Sequence, residues 1–181
     1  MTTTDASTDS TPGDTTSGDA VYPSDTLPGI PPFTFPVPEG WVVEPSLDAL
    51  AVARIPVADD GFWASIIVTA NRVPSGLKLR DAVESTYRQF LRRYPDAKLQ
   101  GERLAAYDGR ETYVRVVEVV GDDGRAVSQL HAYFFAPIRG DNRVRELFQF
   151  VASAPTEHQD KYGKAVVDSL NGFRFTERSA E

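Results

Sequence analysis

Four short glycine–acid clusters constrain this chain more than any other feature: Asp59-Asp60-Gly61, Asp108-Gly109, Gly121-Asp122-Asp123-Gly124 and Arg139-Gly140-Asp141-Asn142. Each lies between runs rich in Val, Ile, Tyr and Phe, and each tolerates the positive φ that tight hairpin turns require. Strands joined this closely run antiparallel, because a parallel pair needs a long crossover. The runs they separate read as strands over Ala49–Ile55, Phe62–Val73, Lys98–Ala106, Arg110–Val120, Ala126–Pro137 and Val144–Ser153. The last four of these form an antiparallel meander.

Two segments change period. Leu79, Val83, Tyr87, Phe90, Leu91 and Tyr94 recur at helical spacing, so Leu77–Tyr94 is expected to be a helix with these residues on its buried stripe, ended by Pro95. A second helix is expected from about Thr156 to Leu170, with Tyr162, Ala165, Val166, Ser169 and Leu170 inward. Thr156 and Gln159 have capping-box spacing, and Asn171-Gly172 is a stop signal. Phe173-Arg174-Phe175 returns as a short edge strand or packs on the core.

The folded part opens on Phe33-Thr34-Phe35-Pro36-Val37-Pro38-Glu39-Gly40-Trp41, read as two short strands around a Pro-Glu-Gly turn. Residues 1–31 before it are mostly Thr, Ser, Asp, Gly and Pro and lack the apolar content to offset their ordering entropy. The expected organisation is a disordered acidic tail over 1–31, one α+β domain over 32–176 and a short tail over 177–181. The fold class is α+β, with a mainly antiparallel sheet of six to eight strands and two main helices. Ile66–Val68 and Val116–Val120 are apolar on both faces, so helices or loops must cover both sides of the sheet.

Composition excludes several functions. There is no cysteine, hence no thiol nucleophile, cysteine-ligated metal or N-terminal lipid anchor. The tail holds five aspartates and no Lys or Arg, and the remainder holds 21 acids against 19 bases, so no basic footprint for nucleic acid exists. No run approaches the ~18 apolar residues of a membrane span, and no signal peptide is visible, which implies a cytoplasmic protein.

Taken together, the opening FTFPVPEGWVV, the strand Trp63–Val73, the helix DAVESTYRQFLRRYP, the meander with Tyr113–Val120 and the closing SAPTEHQDKYGKAVVDSLNGFRF resemble the LpqN-type family of actinobacterial proteins. More distantly the chain is similar to the fold shared by the photosystem PsbP protein and a yeast Ran-binding import factor. The resemblance spans about residues 33–175 and implies a PsbP-like sandwich serving as a binding or assembly module, with no catalytic residues to carry over. Named members of the family are exported lipoproteins with a lipobox cysteine, which this chain lacks.

The strongest candidate for chemistry is His131, on a strand face with Gln129 and Tyr133. Pairing through the Gly121–Gly124 turn sets Tyr113 and Arg115 beside Tyr133 and His131, and the next hairpin is expected to add Phe148 and Phe150. Aromatic side chains with a few convergent polar groups make a ligand-binding surface. The alternative is a hydrogen-bonded sheet face under one helix, and a one-residue register slip moves the whole set to the other face. Trp41 and Trp63 are expected to close one end of the core, and Arg88, Arg92 and Arg93 to form a solvated helix face.

No carboxylate cluster has ligand spacing with His131 or His158, no nucleophile elbow or phosphate loop occurs, and no metal or cofactor is expected. The leading expectation is therefore a non-catalytic module. A protein partner or an apolar small ligand would dock on one sheet face or in a sheet–helix crevice. The rivals are a hydrolase with His131 as general base and Arg115 as anion anchor, and an accessory or chaperone-like subunit of a secretion or envelope system.

Overall fold

A computed structural model describes residues 29–138 and 143–176. The turn expected at Arg139–Asn142, residues 1–28 of the tail expected over 1–31, and the tail expected over 177–181 lie outside the described residues. Gly29 and Pro31 are both buried ahead of the boundary read at 32.

Among the described residues the order is β1 (Phe33–Thr34), β2 (Val42–Glu44), β3 (Ala51–Arg54), β4 (Ser65–Pro74), α1 (Leu79–Arg93), β5 (Lys98–Tyr107), β6 (Arg110–Val120), β7 (Ala126–Phe135), β8 (Val144–Pro155), a 3₁₀ turn (Thr156–His158), α2 (Gln159–Asn171) and β9 (Arg174–Phe175). A seven-stranded sheet runs in the order β2-β3-β4-β8-β7-β6-β5, antiparallel throughout. The turn chemistry matches its prediction: Asp60, Gly61, Asp108, Gly109 and Gly124 all have positive φ. By contrast β4 and β5 point the same way at different places in the sheet, so the chain between them must cross a face, and α1 is that crossover.

Each face has its own core. On the first, Leu79, Ala82 and Val83 of α1 pack on Tyr113, Tyr133 and Leu147. On the second, Val166 and Leu170 of α2 join Phe173 over Ile66, Val68, Val114, Phe134, Phe148 and Phe150. The apolar-on-both-faces pattern of the inner strands is thereby accounted for.

The opening motif does not form a hairpin. The Pro38–Trp41 turn is present, with Trp41 N–H donating to the Pro38 carbonyl at 3.0 Å. Yet β1 pairs with β9, Phe33 opposite Phe175, while β2 pairs with β3. Pro36 and Pro38 have no N–H to extend a ladder towards β2. Phe33 and Phe35 instead stack on Phe173, with ring centroids 5.1 and 6.4 Å away, and meet Phe148 and Phe150 edge-on. Gly172 permits this closure, because a Cβ there would lie 2.3 Å from Pro36 Cγ.

Three further expectations are corrected. The capping box at Thr156 does not form; a 3₁₀ turn intervenes and the Thr156 hydroxyl has no partner. The buried stripe of α1 covers only its N-terminal half, and Tyr87, Phe90, Leu91 and Tyr94 are half-exposed as the helix runs out towards the sheet edge. Trp41 does close a core end, edge-on to Tyr162 at 6.0 Å, but Trp63 is 50% exposed.

Candidate functional site

The β6–β7 register is the expected one: Tyr113 faces Tyr133 and Arg115 faces His131. With Gln129 these five share the α1 face. Phe148 and Phe150 do not join them. β8 is displaced by one residue from the expected pairing, so Phe148 and Phe150 lie opposite Phe134 and Ala132 and point into the α2 core. Gln149 and Val151 take the places beside Tyr133 and His131. The displacement follows the apolar alternation of β8: its Phe side chains fill the larger core, and its one amide meets the polar face.

The polar set is closed. His131 Nε2 lies 3.0 Å from Gln129 Oε1, and Nδ1 lies 3.1 Å from the Tyr133 hydroxyl. The amide oxygen fixes the neutral tautomer with the proton on Nε2, and Nδ1 then accepts from Tyr133. Gln149 Nε2 donates in turn to the Tyr133 hydroxyl at 3.2 Å. Phe90 of α1 caps the imidazole edge-on at 5.1 Å, leaving His131 5% exposed. Burial, helped by the nearby Arg115 charge, pushes the imidazole pKa down from 6.5 to about 4. Burial likewise pushes the Tyr133 phenol up.

Arg115 is engaged through two of its three nitrogens, and the third, Nη1, is buried without a partner. Its Nε and one terminal nitrogen donate to Glu102 at 2.9 and 2.7 Å, the latter also to Glu84 at 3.2 Å, and its guanidinium stacks 3.8 Å from the Tyr87 ring centre. Burial opposes its charge, but the Glu102 contacts outweigh that and hold its pKa up. The same contacts hold the Glu102 carboxyl below its ordinary range. A general base works best with a pKa near ambient pH and a free lone pair facing substrate. Here both imidazole nitrogens and the guanidinium are turned inward, so the five residues act as a hydrogen-bonded support between α1 and the sheet.

A second polar group was not legible in sequence. Asp59, Asp60 and His158 place ligand-type atoms within 4.8 Å of one another across the Asp59–Phe62 turn and the 3₁₀ segment. The Asp59 carboxylate is already shared: Lys161 Nζ lies 2.5 Å and the Tyr162 hydroxyl 2.8 Å from its Oδ2. Those contacts, Lys161 first, lower the Asp59 pKa. An incoming cation would meet an ammonium, so the cluster reads as a clasp holding α2 to the turn.

The open site lies on the other face. Seven strands spaced ~4.8 Å apart span about 29 Å, whereas a helix with its side chains is about 10–12 Å wide. The α2 helix therefore leaves the β5–β6–β7 side uncovered. The result is a groove of about 560 Å³, within the ~300–1,000 Å³ of small-molecule sites. Its floor is Val114, Val116, Leu130, Ala152 and Ala154, and its helix wall is Gly163, Val166, Val167 and Leu170. Gly101, Arg103 and Tyr107 of β5 form the far side.

Gly163 sits inside α2, where glycine costs about 1 kcal/mol against alanine. A Cβ there would meet nothing within 4 Å, so no packing within the chain demands this glycine. The sequence carried signals for this groove: the outer alternation Val114–Val116 on β6, a glycine within a helical period, and an apolar Val167 beyond the buried stripe.

By sequence, no family model and no curated protein matches the chain. By structure it is similar to LpqN of Mycobacterium tuberculosis, a protein involved in cell envelope biogenesis, with a TM-score of 0.68 at 18% identity over 83% of this chain and 86% of that one. It is also similar to the cyanobacterial PsbP protein of Synechocystis, with a TM-score of 0.56 at 19% identity over 80% and 86%. A Pseudomonas aeruginosa protein of unknown function gives 0.55 at 10% identity over 77% and 99%. These likenesses show the fold that the sequence resemblance implied, an α+β sandwich of LpqN and PsbP type. Among the described residues no helix is long and apolar enough to cross a membrane.

Proposed function

We propose that this chain is a non-catalytic binding module that holds an apolar small ligand in the groove between α2 and the β5–β7 side of the sheet. The observation that carries the reading is an apolar floor, part-exposed at Val116 and Leu130, beside a helix whose wall contains Gly163, a residue with empty space where its Cβ would stand. The candidate polar chemistry, by contrast, is spent on internal contacts beneath α1. The fold likeness to LpqN and PsbP is compatible with this role and does not select the ligand.

The test is binding of the neutral fluorescent probe N-phenylnaphthylamine. The wild-type protein is expected to enhance its emission, and Gly163→Leu, which fills the groove from the helix side, is expected to abolish the enhancement. Gly163→Ala serves as the control for folding: it should stabilise α2 by about 0.5–1 kcal/mol through helix propensity alone. Undiminished probe binding by a folded Gly163→Leu protein would overturn the reading.

A further inference from the structure

The groove has polarity along its length. Strand register places Arg103 on the row of Val114 and Ala132, and Ser128 on the row of Glu118 and Ala154. These rows stand four residues apart on β6, which is ~14 Å at the rise of an antiparallel strand. Asp160, in the first turn of α2, lies at the Ser128 end. Arg103 and Tyr107 lie at the other.

The cations of the groove differ in how they are engaged. Lys164 is paired with Asp168 at 2.5 Å, one helical turn away. Glu102, next to Arg103 in sequence, turns to the opposite face and is taken by Arg115. Arg103 donates only to the Tyr107 hydroxyl, at 3.1 Å, and among the described residues it forms no ion pair. Directly across from Tyr107 stands Arg110, whose guanidinium rests 4.2 Å from the Phe134 ring centre with two of its nitrogens unpartnered. The β5 end of the groove, above an apolar floor, thus presents an arginine that forms no ion pair among the described residues, held by a phenol that can itself donate to an anion.

We infer that the ligand of this groove is a single-chain amphiphile with a carboxylate head, its chain along Val114, Val116 and Leu130 and its head on Arg103 and Tyr107. The inference rests on the groove being the binding site and adds the chemistry of what it takes. A planar guanidinium matches a carboxylate in two parallel hydrogen bonds. The acidic Asp160 at the far end sets the direction, because an anionic head there would be repelled. Arg103 is the specificity determinant, and the apolar floor supplies affinity without choosing between heads.

The experiment is displacement of N-phenylnaphthylamine by dodecanoic acid, dodecanol and dodecyl phosphate, on the wild-type protein and on Arg103→Gln. Arg103 is exposed, so its replacement leaves the fold intact, which a thermal melt verifies. Dodecanoic acid is expected to displace the probe at about three- to fivefold lower concentration than dodecanol, as a solvent-exposed charge pair predicts. Arg103→Gln should erase that preference, with displacement by each ligand read against the variant's own probe affinity. Equal displacement by acid and alcohol in the wild type overturns the inference, and so does a preference that survives in Arg103→Gln. A clear preference for the phosphate over the acid overturns the carboxylate assignment. If the wild-type protein does not bind the neutral probe at all, the groove itself is refuted, a result distinct from probe binding without head selectivity.

Discussion

Acidification should weaken this protein through one side chain before its carboxylates are involved. His131 is neutral in the fold with a pKa of about 4, against 6.5 for the exposed imidazole of the unfolded chain. Between those values the unfolded chain binds a proton that the folded one refuses, so stability falls as pH falls, beginning near the unfolded pKa and levelling off below the folded one. The linkage integral from about pH 7 to about pH 5 is about 2 kcal/mol, a large share of the ~5–15 kcal/mol that holds a domain folded. Glu102 and Asp59 have pKa values below their ordinary ones, so their contributions are lost only at lower pH still. The assay is urea denaturation at several pH values on wild type and His131→Gln. Glutamine can donate to Gln129 and accept from Tyr133 but does not titrate, and every other side chain is common to both proteins. The wild type should lose about 2 kcal/mol more than the variant across this window. Parallel pH profiles for the two proteins would refute the argument, and with it the neutral, closed state assigned to the His131 network.

Two smaller perturbations test the packing. Gly172→Ala places a methyl group 2.3 Å from Pro36 Cγ; since Gly172 has φ of −87°, the penalty is steric rather than conformational. It should cost about 1–3 kcal/mol in chemical denaturation, and a neutral or stabilising result would show that β1 and β9 are not locked together there. Phe90→Ala should cost about 1–2 kcal/mol, less than the ~3–5 of a fully buried phenylalanine, because the ring is half-exposed over His131. A loss above ~3 kcal/mol would mean that α1 is buried along its whole length.

The periodicities and turns of this chain determined its elements. Asp-Gly and Gly-Asp clusters impose backbone geometries that few other residues adopt; the meander β5–β8 and the β6–β7 register could therefore be read directly, along with the pairing of Arg115 with His131. That information is local, and it ended where pairing became long-range. β1 and β2 looked like a hairpin because they are adjacent in sequence. The choice of β9 as the partner of β1 depended on four phenylalanine rings from distant segments finding one another, and on Gly172 leaving room for Pro36. The β8 register was decided in the same way, since Phe148 and Phe150 had to enter the larger core; that moved them off the expected site and set Gln149 in their place. The clasp of Asp59 to Lys161 and Tyr162 joins residues about a hundred positions apart. The groove is the furthest from the sequence, because it consists of what α2 fails to cover. Alternation and helical period say which side chains turn inward, but only the width of the assembled sheet against the width of one helix decides which apolar residues remain open to a ligand.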